Sequence, residues 1–163
     1  MDSFLSTLLT FLLTILGGPD NSSNRESAIS TTTAEVIDVI DGDTIRVLLA
    51  GQVESVRYIG IDTPEPYRDQ KPACFSSEAS ERNRSLVAGK KVSLVADEED
   101  RDRFDRLLRY VYVDGKFVND LLVREGYATT LSIPPNTKYW EQFAQAEDNA
   151  EENSLGLWLE CNQ

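Results

Sequence analysis

The sequence predicts an α+β domain in which five short strands close into a small barrel that carries three helices. Three observations point there. The chain has 163 residues, room for one domain at about 150 residues each. Apolar residues are 40% and charged residues 27%, a balance that suits a soluble protein with a modest core. Beyond residue 33, apolar residues recur with period two in five runs and at helical spacing in three others.

Taken in order, residues 35–40 form the first strand, and Asp41-Gly42 supplies a turn or bulge after it. Residues 44–49 and 53–61 flank Ala50-Gly51-Gln52 and read as a hairpin. Pro64, Pro66 and Pro72 make residues 64–75 a loop, and connections of that length are often functional. Residues 76–87 read as a helix capped by Ser76 or Ser77 and stopped by Gly89, with Arg82 on its thin apolar stripe. Residues 91–96 and 108–113 are the last two strands. Asn119 is placed to cap a short helix that ends at Gly126. The final helix starts near Thr137 or Lys138, with Trp140, Phe143, Ala144 and Ala150 on its buried side. Five strands with helices inserted and appended are most economically arranged as an OB-fold, a five-stranded Greek-key barrel.

The domain is expected over residues 34–160. Ahead of it, residues 4–16 form an uncharged, Leu-rich run of 13. A membrane span needs about 18–20 residues, so residues 1–16 read as a signal peptide for export, with an uncleaved hydrophobic anchor or an unusual N-terminal helix as the other readings. Asp2 and the absence of Lys or Arg depart from a standard signal, and Ala28-Ile29-Ser30 is only a loose cleavage site. Residues 17–33, rich in Gly, Ser, Thr and Asn, read as a flexible linker.

Composition removes several chemistries. The chain has no histidine and only two cysteines, which excludes His-based acid–base pairs and clustered Cys/His zinc sites. Carboxylate, guanidinium and hydroxyl chemistry remains, and calcium or magnesium suits that inventory. Lys plus Arg total 16 against 28 Asp plus Glu, a net charge of −12. Broad coating of nucleic acid is therefore disfavoured, although a bound metal can reverse a local field.

Three polar clusters interrupt this scaffold: Asp41-Gly42-Asp43-Thr44, then Arg57 with Asp62-Thr63-Pro64-Glu65, and Asp102-Arg103-Phe104-Asp105-Arg106. Each has an ordinary explanation. Asp-Gly is a common turn, an arginine on a strand can snorkel at a barrel rim, and Asp62 and Glu65 flank a proline turn. Residues 97–109, with six acidic and four basic residues, suit a solvated loop.

Together, in this order, Val39-Ile40-Asp41-Gly42-Asp43-Thr44, Arg57-Tyr58-Ile59-Gly60-Ile61-Asp62-Thr63-Pro64-Glu65 and Asp102-Arg103-Phe104-Asp105-Arg106 resemble the staphylococcal nuclease, or thermonuclease, family. Glu78-Ala79-Ser80, Asp114-Gly115-Lys116-Phe117-Val118-Asn119, Leu122-Val123-Arg124-Glu125-Gly126 and Gly156-Leu157-Trp158 extend the likeness. The resemblance implies an OB-fold and a calcium-dependent phosphodiesterase that cuts DNA and RNA to leave 3′-phosphates. It implies calcium ligation by the Asp43 and Asp62 carboxylates and the Thr63 carbonyl, water activation by Glu65, and phosphate contacts by Arg57 and Arg106. Planar guanidinium groups offer paired hydrogen bonds to phosphate oxygens. The substrate would be nucleic acid, with single strands preferred because a narrow site must reach one backbone. No protein partner is implied, a monomer is expected, and membrane contact arises only if residues 4–16 stay attached.

Two departures stand out. Phe104-Asp105 replaces a frequent Tyr-Gly, so Asp105 would add negative charge beside the phosphate site. Thr129-Thr130-Leu131-Ser132-Ile133 lacks the aromatic pair that flanks the base. Export would permit a disulfide between Cys74 and Cys161. Two other classes compete: a non-catalytic OB-fold module that binds nucleic acid, and a calcium-binding acidic surface protein. The five charged residues Asp43, Arg57, Asp62, Glu65 and Arg106 are all present. A decayed site would have lost some, and an acidic surface protein would not need the arginines.

Overall fold

A computed structural model describes residues 31–66 and 71–161. The signal-like run, most of the linker and the middle of the proline loop lie outside the described residues. The elements are β1 (Thr31–Val39), β2 (Thr44–Leu49), β3 (Gln52–Tyr58), β4 (Ile61–Asp62), α1 (Ser76–Val87), β5 (Lys91–Val95), β6 (Leu107–Val113), β7 (Lys116–Phe117), α2 (Val118–Arg124), β8 (Thr129–Thr130), α3 (Trp140–Glu152) and α4 (Leu157–Glu160).

Five strands make the barrel. Their order is β3-β2-β1-β5-β6, and β3 also pairs with β6 to close the ring. That closing pair is parallel, matching Val56, Arg57 and Tyr58 with Leu107, Leu108 and Arg109. β1 serves two neighbours: its first half pairs with β5 and its second with β2, the register shifting between Val36 and Asp38. It begins at Thr31, three residues inside the segment read as linker. Thr31, Thr32 and Thr33 pair with Val95, Leu94 and Ser93. Polar composition suggested a linker there, but β-branched threonine is at home on a sheet. Ile45, Val47, Val56, Leu94, Val111 and Leu122 are buried at the centre.

The run 53–61 is not one strand. Gly60 turns the chain with φ +82, and a Cβ there would lie 2.5 Å from the Phe143 ring. The chain therefore leaves the barrel after Tyr58. Ile61 and Asp62 then pair with Thr130 and Thr129 in a separate two-stranded ribbon.

α1 spans 76–87 as expected, but neither serine caps it. Phe75, at φ 66, is the N-cap residue and no side chain bonds to the cap. Arg82, which looked misplaced on this helix, grips Glu125 through two hydrogen bonds of 2.6 and 2.8 Å. Asn119 does not cap α2, which begins one residue earlier. Its side chain is fully buried, accepts from the Val111 amide and donates to the Ile59 carbonyl, both at 2.9 Å. α3 starts at Trp140, two or three residues later than expected. Trp140 is exposed and Ala144 half-buried, whereas Phe143, Ala146 and Ala150 face the core. Tyr139 takes the place assigned to the tryptophan, packing edge-on against Tyr110 and Phe117.

Cys74 and Cys161 form a disulfide, tying the proline loop to the end of α4. Among the described residues, no helix is long and apolar enough to cross a membrane.

Candidate active site

The first two polar clusters meet where the β1–β2 turn, the end of β3 and the β4 ribbon come together. Asp43 sits in that turn and is buried, 1% exposed. Its Oδ1 accepts from the Thr44 hydroxyl at 3.1 Å. Its Oδ2 accepts from the Thr63 amide at 2.8 Å and the Thr63 hydroxyl at 3.0 Å. The turn can come this close because residue 42 is glycine: a Cβ would lie 2.6 Å from Thr63 Oγ1. Burial, together with the nearby Asp41 carboxylate, pushes Asp43 up to about 7 even though Arg57 draws it down. Loss of hydration disfavours the charged carboxylate there.

Arg57 does not snorkel. It lies between the two aspartates, with Nη1 3.0 Å from Asp43 Oδ2 and Nη2 2.7 Å from Asp62 Oδ1. Nη1 also donates to the Ile61 carbonyl at 2.9 Å and the Tyr58 carbonyl at 3.2 Å. The arginine side chain is 12% exposed. Planar forks that satisfy several oxygens at once are how a guanidinium tolerates such burial. Glu65, at the mouth of the proline loop, is raised above its ordinary value by burial first, then by the Asp41 and Asp62 carboxylates. Arg57 and Arg106 partly oppose that shift, so both cations act on Glu65.

Arg106 and Arg57 line one groove of about 460 Å³, together with Phe104, Asp102, Leu131 and Ile133. Asp102 sets the arginine's direction, since its Oδ2 accepts from Arg106 Nε at 2.7 Å. Phe104, 65% exposed, lies between the guanidinium groups of Arg103 and Arg106, 4.7 and 5.5 Å from its ring centre. Asp105 adopts φ +65, the left-handed conformation that favours glycine. Its carboxylate is exposed and lies 3.6 Å from Arg101, so its nearest cation belongs to the loop itself.

The geometry thus links Asp43 directly with Arg57 and Thr63, joins Asp62 through Arg57, and sets Glu65 under the influence of Arg57 and Arg106. Among the described residues, no three Asp, Glu, His or Cys side chains cluster closely enough to form a metal site by themselves.

Sequence reasoning missed the residues that hold this arrangement. Asn83 is fully buried, accepts from the Tyr58 hydroxyl and donates to the Asp41 carbonyl, both at 2.9 Å. Thr129 donates its hydroxyl to the Asp62 carbonyl at 3.3 Å. Glu147 on α3 holds Thr130. A polar residue on an apolar helix stripe was the one available signal, and it applied only to Asn83.

Residues 55–160 match the family described as staphylococcal nuclease homologue. The chain belongs to the staphylococcal nuclease family. It is 41% identical over 147 residues to Endonuclease YncB of Bacillus subtilis, covering 86% of this chain and 67% of that protein. It is 44% identical over 135 residues to the SPbeta prophage-derived endonuclease YokF of the same organism, covering 76% of this chain but only 45% of that one. The Thermonuclease of Staphylococcus hyicus is 36% identical over 142 residues, with 86% and 83% covered. Within the family match lie Arg57, Asp62, Thr63, Glu65 and Arg106, whereas Asp43 precedes its first residue.

Proposed function

We propose that this chain is an exported, calcium-dependent nuclease that hydrolyses phosphodiester bonds of DNA and RNA to 3′-phosphate products, preferring single strands. The observation that carries the reading is that Asp43 and Asp62 meet on Arg57, which lines one groove with Arg106, while both arginines act on the desolvated Glu65. The relatives named endonuclease and thermonuclease support it. The disulfide supports export, because such bridges persist in oxidising compartments.

The donor set suits a hard cation. Asp43, Asp62 and the Thr63 carbonyl would offer oxygen only, the donor type that hard divalent cations take. When bound, calcium would polarise the phosphoryl group and offset its charge. Arg57 and Arg106 would hold the non-bridging oxygens, whose charge grows as the nucleophile arrives. Glu65 would take a proton from the attacking water, and its upward shift brings it nearer the range where a carboxylate works as a base. The new bond joins water oxygen to phosphorus. The bond to the 5′-oxygen breaks and that oxygen takes up a proton, leaving phosphate on the 3′ side.

Digestion of single-stranded DNA with calcium or chelator tests this, beside Glu65→Gln and Arg57→Ala. Cleavage should need calcium, the products should lose their terminal phosphate to a 3′-phosphatase, and Glu65→Gln should cost about 10²–10⁴ in rate. Calcium-loaded, folded protein that binds DNA without cutting it would make the domain a binding module instead.

A further inference from the structure

Asp62 stands on a ribbon too small to hold itself. β4 and β8 have two residues each, and even a complete hairpin is marginal alone in water. Something outside the ribbon must fix it. On its inner side, Leu131 N donates to the Gly60 carbonyl at 2.9 Å and the Thr129 hydroxyl to the Asp62 carbonyl at 3.3 Å. On the outer side, Glu147 receives Thr130 with both oxygens, Oε1 from the amide at 3.2 Å and Oε2 from the hydroxyl. Glu147 is well placed to be the fixed end. It lies one turn beyond Phe143, whose ring fills the space beside Gly60, and next to Ala146 in the core.

We infer that Glu147 is a positioning residue for the reaction: through Thr130 it clamps β8, and β8 sets where β4 presents Asp62 and Thr63. The effect then reaches both metal-side aspartates, because Thr63 N bonds Asp43 and Arg57 bridges Asp43 to Asp62. Glu147 touches none of the reacting groups itself. Its carboxylate is taken up by Thr130. The inference rests on the nuclease reading for its consequence, and on the hydrogen bonds alone for the clamp.

The test compares Glu147→Ala, Glu147→Gln and, as a control that weakens α3 elsewhere, Ala150→Gly. Amide exchange by NMR, on metal-free protein without DNA, reads the clamp at Leu131 and Thr63. Glu147→Ala should speed both amides while β1, β2 and β5 stay protected. In cleavage assays it should lower kcat and weaken the calcium midpoint by about tenfold or more, the usual effect of removing an outer support of a metal site. Glu147→Gln keeps an oxygen for the Thr130 amide and should recover most of that loss. Ala150→Gly should lower the melting temperature with the calcium midpoint unmoved. Unchanged exchange at Leu131 and Thr63 in Glu147→Ala would overturn the clamp. Faster exchange with kcat and calcium midpoint no worse than in Ala150→Gly would overturn its role in the reaction. A wild-type protein that does not cleave would remove the nuclease reading, while the two amides would still decide the clamp.

Discussion

Asp102 shows how much of this site rests on one carboxylate placed by its own loop. Oδ1 accepts from the amides of Phe104 and Arg106 at 2.9 and 3.0 Å, and Oδ2 takes Arg106 Nε at 2.7 Å. Burial alone would raise this acid, but the amide and guanidinium donors outweigh it, so Asp102 falls below its ordinary 3.8. A lowered acid stabilises the fold above its unfolded value and loses that contribution as pH falls through the folded one. Asp102→Asn should therefore be less stable than wild type by roughly 1–2 kcal/mol at pH 7. Urea unfolding at pH 7, 5 and 3 should show that gap closing only below about 3.8. A gap that persists unchanged at pH 3 would mean that hydrogen-bond geometry, and not charge, holds the loop. The same variant should reduce cleavage, because Arg106 loses the partner that aims it into the groove.

The disulfide works at the level of elements, where it joins the loop carrying Glu65 to the last helix across a separation of 87 residues. The Ala73 amide bonds the Glu65 carbonyl at 3.0 Å, so the bridge anchors the far end of the segment that carries Glu65. Replacing both cysteines with serine should lower unfolding free energy by up to about 4.6 kcal/mol, the chain-entropy value for a closed loop of this size. Denaturant titration of oxidised protein and variant measures it, and equal midpoints would show that the bridge restrains nothing in the unfolded chain. Much at this scale could be read in advance. The barrel strands are legible from apolar runs with a buried face, and α1 has its stop at Gly89. The breaks could not be read, because they depend on partners distant in sequence. Gly60 ends a strand where Phe143 closes in, and Asn119, well suited to a cap, is drawn inward to Val111 and Ile59. The site shows the same division. Its acids and arginines lie in short motifs of legible chemistry, whereas Asn83 and Glu147 act on groups 42 and 17 residues away, and Glu147 carries no local mark.

For the whole molecule, the net charge of −12 has to be reconciled with a polyanionic substrate. The outer arginines do not supply a basic surface. Arg82, Arg101, Arg109 and Arg124 are each paired with a carboxylate, at 2.6–3.0 Å. The cations lining the groove are Arg57, Arg103 and Arg106, so binding should release few counterions. For about three phosphate contacts on a single strand, the slope of log K against log salt should be near −2. Fluorescence anisotropy with the Glu65→Gln variant, calcium present and salt varied, would measure it without cleavage. A slope beyond about −5 would require seven or more contacts, more than the three cations of the groove can make. A slope near −2 that vanishes when calcium is chelated would mean that the acidic body repels nucleic acid everywhere except where a metal and three arginines invert its field. Such a protein would bind strands through this groove and nowhere else.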